Sequence, residues 1–113
     1  MDEELEKNTA VLPAAQTETR LTPLWHIVLL DDDDHTYDYV IEMLSKLFHH
    51  PVTLAYKMAC EVDTVGRVIV ETTVFERAEF KRGQIRAYGA DWRLERSRGS
   101  MHAILEPATQ TAD

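Results

Sequence analysis

Cysteine is almost missing from this chain. One thiol, Cys60, among 113 residues cannot close an internal disulfide, and it fits a reducing compartment. Basic residues are also scarce: 12 Lys and Arg stand against 20 Asp and Glu, a formal charge of −8. That balance argues against nucleic acid, whose binding depends on cations that neutralise phosphates, and it suits cationic partners. Apolar runs stay far below the roughly 20 residues that span a bilayer. The first residues, MDEELEKNTA, are acidic where a secretory signal would be basic and then apolar, so a cytoplasmic chain with no membrane contact is expected. No zinc spacing, P-loop, nucleophile elbow or dinucleotide glycine fingerprint occurs. His26, His35, His49, His50 and His102 are scattered, and His49-His50 suits a polar helix end. No metal, cofactor or catalytic residue is expected, so the chain is read as a non-enzymatic binding module.

What is present fits one domain with a tail. Residues 1–23 carry Thr, Glu, Gln, Ala and two prolines without a sustained period, too little to bury against the entropy of ordering. LWHIVLL at 24–30 reads as a buried or half-buried strand. Val40, Met43, Leu44, Leu47 and Phe48 then mark one face of a helix opened by Asp34 or Thr36. Pro51 starts a second helix with Ala55, Met58, Ala59 and Val62 on its inner face, and Gly66 stops it. RVIVETTV at 67–74 is a second strand. FERAEFKRGQIRAYG at 75–89 is a third helix, with Phe75, Ala78, Ile85 and Tyr88 inward, a charged outside that includes Glu76 and Lys81, and Gly89 as its stop. After a polar loop, ADWRLERSRG, the segment SMHAILEP closes the chain as a strand. The order β-α-α-β-α-β predicts an α/β two-layer sandwich: a three-stranded antiparallel sheet packed on three helices over residues 24–108, followed by a short tail, 109–113.

The chemical question sits in LLDDDDHTYDYV, residues 29–40. Four aspartates in a row repel one another. They read either as a solvated loop capping a helix, as the acidic Mg²⁺ site of a receiver-type signalling domain, or as a socket for a cation. A receiver continues as alternating parallel strands with an acceptor Asp at the end of a later strand; here two helices follow back to back, and RVIVETTV holds no aspartate.

From Trp25 to Ala108 the sequence resembles the ClpS adaptor family, whose pattern N-D-D-Y-T-P-M-E-F-V after the first strand lies without gaps on D-D-D-D-H-T-Y-D-Y-V at 31–40. The V-I-E-M-L-S-K-L-F that follows, GRVIV, the A-E-x-K of Ala78, Glu79 and Lys81, and the L-E-x-A of Leu105, Glu106 and Ala108 fall in family order. The resemblance implies a monomeric adaptor that recognises N-degrons, proteins or peptides beginning with Phe, Tyr, Trp or Leu, and delivers them to the Clp AAA+ unfoldase by docking on its N-terminal domain. It also implies an amino-binding set at Asp31, Asp33 and Asp63, with Asp32 shaping the loop. Two of those positions depart from the family: Asp31 replaces an asparagine and Asp63 a histidine. The implied side-chain pocket is His35, Tyr37, Val40, Ala59, Val62 and Met101, with Tyr37 and Ala59 standing where methionines are usual. Glu76 and Lys81 fall on the unfoldase-docking positions, and residues 1–23 on an extension needed for delivery. A paralogue that docks on the unfoldase and only regulates it keeps the same fold.

The carboxylates carry a physical consequence of their own. They make charge-assisted bonds to an ammonium, roughly twice as strong as those of neutral acceptors, and they repel each other when the site is empty, which raises the pKa of at least one.

Overall fold

Leu24–Leu30 forms β1, and its β-branched and apolar residues are there because the strand is central: Ile27, Val28 and Leu29 are completely buried. In the computed structural model, which describes residues 22–108, β1 pairs antiparallel with β2 (Arg67–Val74) on one side and with β3 (Ala103–Pro107) on the other. The strand order is therefore β2-β1-β3, with an irregularity between Ile27 and Val28 in the β2 pairing. Helices α1 (Tyr37–Phe48), α2 (Val52–Val65) and α3 (Phe75–Arg86) complete the order expected from the sequence. An all-antiparallel sheet is not the alternating parallel arrangement of a receiver, and that alternative falls with it. Expectations for the N-terminal extension, apart from Thr22 and Pro23, and for 109–113 lie outside the described residues.

The helical period of α1 delivers Val40, Met43, Leu44 and Phe48 to the core beside Tyr39. Full burial of a side chain the size of Met43 or Leu44 contributes about 1.5–3 kcal/mol each. From α2 come the smaller Ala55, Ala59 and Val62, and from the sheet Ile27, Leu29, Val68 and Val70. Thr36 caps α1, its Oγ1 accepting the Tyr39 N–H at 3.1 Å, while Asp38 places negative charge in the first turn. His49 ends the helix in the left-handed region at φ 60°. Gly66 ends α2 at φ 102°, a conformation that costs glycine little, and turns the chain directly into β2. Its carbonyl accepts the Asp31 N–H at 3.0 Å, so the end of α2 is tied to the first residue after β1.

The third helix departs from its expected pattern. It ends at Arg86 rather than Gly89, and Tyr88 lies beyond it with its ring edge-on to Tyr39, centroids 5.4 Å apart. Phe75, expected inward, is 41% exposed and packs edge-on against Trp25 at 5.2 Å. Lys81, expected on the charged outside, is buried with Ala78 and Ile85.

Candidate functional site

The aspartate loop is held from several sides, and its four carboxylates have four different surroundings. Asp31 is exposed, with its backbone fixed by Gly66. Asp32 turns inward: Oδ1 accepts the Asp34 N–H at 2.8 Å, and both oxygens lie within 2.9 Å of His35 Nδ1. The other ring nitrogen of His35 is 2.7 Å from the Gly99 carbonyl, which locks the loop to the segment entering β3. Asp33 is exposed, and its backbone carbonyl accepts Arg96 Nε and Nη2 at 2.9 and 2.6 Å. Asp34 pairs with the same guanidinium at 3.3 Å.

A recess of about 40 Å³ opens beside this loop, between the start of α1 and the end of α2. Asp31, Asp63 and Tyr37 are its exposed members, with Asp32, His35 and Thr36 along the loop. The buried members are Val40 from α1, Ala59 and Val62 from α2, and Met101 from the segment before β3. Helical spacing explains the grouping: Tyr37 and Val40 lie one turn apart on α1, and Ala59, Val62 and Asp63 share a face of α2. Every residue implied for the side-chain pocket is therefore assembled. Of the implied amino-binding set, Asp31 and Asp63 are brought together but Asp33 is not; Asp32 lines the recess in its place. The reason is local: the turn closed by Asp32 on Asp34 N–H carries residue 33 outward to Arg96. On the far side of the Asp32–His35 pair lies a wider, open hollow of about 470 Å³ reached by Arg98, Ser100 and His102.

The electrostatics of the recess are those of crowded carboxylates. Partial desolvation by the neighbouring protein, and then the nearby charges of Asp63, Asp32 and Asp33, raise the pKa of Asp31 above the ordinary aspartate value, against a lowering by the Asp32 backbone. Asp63 accepts a hydrogen bond from the Tyr37 hydroxyl, Oη to Oδ2, at 2.6 Å. Among the described residues, no group of three or more His, Cys, Asp or Glu side chains could hold a metal ion.

One residue that organises the site was not singled out in the sequence. Asp91, in the polar loop after α3, is 1% exposed. Its Oδ2 accepts both the backbone N–H and the hydroxyl of Thr36, at 2.7 and 2.8 Å; its Oδ1 accepts Arg93 N–H and Nη1 at 3.1 and 3.0 Å. Burial alone would raise its pKa, but these donors outweigh it and bring the carboxyl down to about 2. Asp91 thus caps the cap of α1 and fixes where Tyr37 begins. Arg93 extends the network to Glu42 at 3.0 Å.

The docking positions divide. Glu76 is exposed in the first turn of α3. Lys81 is only 9% exposed: its ammonium donates to the Leu47 carbonyl near the C-terminus of α1 and lies 5.5 Å over the Phe48 ring. An ammonium so engaged satisfies a helix-end carbonyl from inside the fold. Lys81→Met, which keeps the aliphatic stem but orphans that carbonyl, is expected to cost about 1–3 kcal/mol of stability in urea denaturation. Weaker docking on the unfoldase at unchanged stability would instead return Lys81 to the partner surface.

Comparisons with known proteins bear on the family and the fold. The family model described as ATP-dependent Clp protease adaptor protein ClpS matches residues 20–92. The ATP-dependent Clp protease adapter protein ClpS of Vibrio cholerae serotype O1 is 30% identical over 81 residues, covering 72% of this chain and 76% of that protein. That of Nautilia profundicola is 36% identical over 58 residues, 51% of this chain and 60% of its own length. Among solved structures, Agrobacterium tumefaciens ClpS2 bound to L-phenylalaninamide superposes with a TM-score of 0.65 over 75% of this chain and 96% of that one. The two are 19% identical, so the likeness is one of fold.

Proposed function

Because the chain belongs to the ClpS family of ATP-dependent Clp protease adaptors, we propose that it captures proteins through a free N-terminal ammonium and a bulky hydrophobic first side chain, and passes them to the Clp unfoldase. One observation carries this reading: exposed Asp31 and Asp63 stand at the same small recess as buried Val40, Ala59, Val62 and Met101. The recess thus sets polar and charged groups at its mouth and loop side against four buried apolar residues, the two kinds of lining that small-ligand sites combine. An N-terminal residue presents the complementary pair, a cation and an apolar side chain on one carbon. The α-amino group, with a pKa of about 7.7–8.0, is largely ammonium at neutral pH and offers three N–H donors. Asp31 and Asp63, with Asp32 beside them, supply the acceptors, and the ammonium relieves the repulsion that the empty carboxylates exert on each other. First residues of the class Phe, Tyr, Trp and Leu are the expected ligands. The solved ClpS2 relative binds L-phenylalaninamide, which has this combination of amine and aromatic ring.

Delivery is assigned to the exposed face of α3 around Glu76, which would meet the N-terminal domain of the unfoldase. The role stays that of an adaptor without a chemical step of its own.

The test is a pair of peptides beginning with Phe or Leu, identical except for N-acetylation, titrated by fluorescence anisotropy. Acetylation removes the charge and two donors, so affinity should fall at least roughly 30-fold, the worth of one or two charge-assisted hydrogen bonds. Equal binding of the two forms would sink the reading. No binding of either form, with docking on the unfoldase retained, would point to the purely regulatory paralogue.

A further inference from the structure

The hydroxyl of Tyr37 and the carboxylate of Asp63 meet across the opening of the recess. Tyr37 is the first residue of α1 and Asp63 lies two residues from the end of α2, so their 2.6 Å hydrogen bond ties together the two helices that frame the entrance. The ring is steadied from the α2 side by Tyr56, centroids 6.1 Å apart, and Tyr37 is itself 37% exposed. Behind this contact the recess holds about 40 Å³. A dry protein cavity that admits benzene measures about 150 Å³. A phenyl or indole side chain therefore needs more room than the recess offers in this arrangement, in which Tyr37 is one of the exposed side chains at its opening. The hydroxyl is held by Asp63, the ring is steadied by Tyr56, and the residue is 37% exposed at the surface.

We propose that Tyr37 and Asp63 form a latch over the recess, opened when the ammonium of an incoming N-terminus replaces the Tyr37 phenol as the donor to Asp63. The inference rests on the proposed capture of an N-terminal residue and adds what that reading lacks, a way for a bulky side chain to enter. Closed, the latch gives Asp63 a donor and so quiets its repulsion with Asp31 in the empty site. Opening exchanges a neutral O–H donor for a charged N–H donor, the stronger partner for a carboxylate. The same movement that frees the carboxylate removes the ring from the path of the side chain, so amine recognition and pocket opening are one event. Both hydrogen-bonded states satisfy Asp63; the intermediate state, with the ring out and no ammonium in, leaves it unpaired. In keeping with a phenol that donates to a carboxylate, the hydrogen bond to Asp63, with smaller contributions from burial and from the Asp63 charge, pushes the Tyr37 phenol well above its ordinary value.

The latch costs affinity for large first residues, and removing it has a defined result. Tyr37→Phe keeps the ring and deletes only the hydroxyl, so a peptide beginning with Phe should bind roughly three- to tenfold tighter, the equivalent of one partly exposed hydrogen bond, and should associate faster in stopped-flow. Unchanged or weaker binding overturns the latch. A second readout needs no peptide: in NMR of ring-labelled tyrosine, the Tyr37 phenol should titrate above free tyrosine in the wild type and near it in Asp63→Ala. An ordinary titration in the wild type overturns the proposal whatever the peptides do. If the raised titration is found but no peptide binds, the latch stands and the capture reading fails, which keeps the two apart.

Discussion

Replacing Asp91 by alanine is expected to lower the free energy of unfolding by about 2–4 kcal/mol, the range for removing the buried partner of several charge-assisted hydrogen bonds. For a domain of this size that corresponds to a fall in Tm of roughly 10–20 °C in calorimetry. Four donors lose their acceptor at once: the Thr36 N–H and hydroxyl, and the Arg93 N–H and guanidinium. Thr36 could still cap Tyr39, but nothing would hold Thr36 itself, so peptide affinity should fall with stability. Asp91→Asn retains one acceptor oxygen and should cost about half as much. The carboxyl also sets an acid limit. Its pKa is about 2 in the folded state and near 3.9 when unfolded, so the stabilisation is fully present above pH 4 and is lost as the pH falls through 2. On that span the contribution is about 2.5 kcal/mol, and the side chain is sealed from solvent, so screening does little to reduce it. An Asp91→Ala protein whose stability falls less steeply than the wild type between pH 4 and 2, with Glu42 and Glu106 supplying the remaining slope, would confirm the assignment; an unchanged wild-type slope would assign it to other groups.

Neutralising the recess is expected to have a comparable effect on binding. Asp31→Asn with Asp63→Asn removes both exposed carboxylates while leaving each an acceptor oxygen, so the Tyr37 contact survives. Affinity for a Phe-initiated peptide should fall about 100-fold, or roughly 3 kcal/mol, from the loss of two charge-assisted bonds. The salt response should flatten with it, because exposed charges are screened over about 10 Å at 0.1 M ionic strength. Equal salt slopes in variant and wild type would put these carboxylates outside the contact. Wild-type affinity should also be bell-shaped in pH. Binding an ammonium favours ionised Asp31, whose pKa is raised in the free protein, so affinity is lost as the pH drops through that value. Above about pH 8 the peptide's amine loses its proton and affinity falls again. In folding the same shift has the opposite sign: the ionised cluster destabilises the free protein at neutral pH, and a bound cation lifts that burden.

Much of the fold was legible because the hydrophobic periods are clean. The i, i+3, i+4 pattern of Val40, Met43 and Leu44 and the punctuation by Pro51 and Gly66 fixed α1 and α2 nearly to the residue. In α3 the same logic misplaced Phe75 and Lys81, since a helix rich in charge has little apolar contrast to orient it. A lysine can enter a core when its ammonium finds a helix-end carbonyl, as Lys81 does at Leu47. The recess was legible where two residues lie a turn apart on one helix, as with Ala59 and Asp63. It was not legible where loop geometry decides, as in the exchange of Asp33 for Asp32. Asp91 was hidden in ADWRLERSRG because its importance comes from a partner 55 residues away, Thr36, and no local spacing marks such a pair.

The position of β1 in the sheet bears on how the chain is made. Among the described residues the first strand in sequence is the middle strand in space, and its later neighbour, residues 103–107, follows it by more than 70 residues. Pairing β1 on both sides therefore closes a long loop, the kind of distant contact that slows folding. Met101 and Gly99, which complete the recess and steady His35, belong to the same late segment. A nascent chain emerging from the ribosome would carry its aspartates well before it owned a finished recess, which is complete only once residues 99–107 have followed.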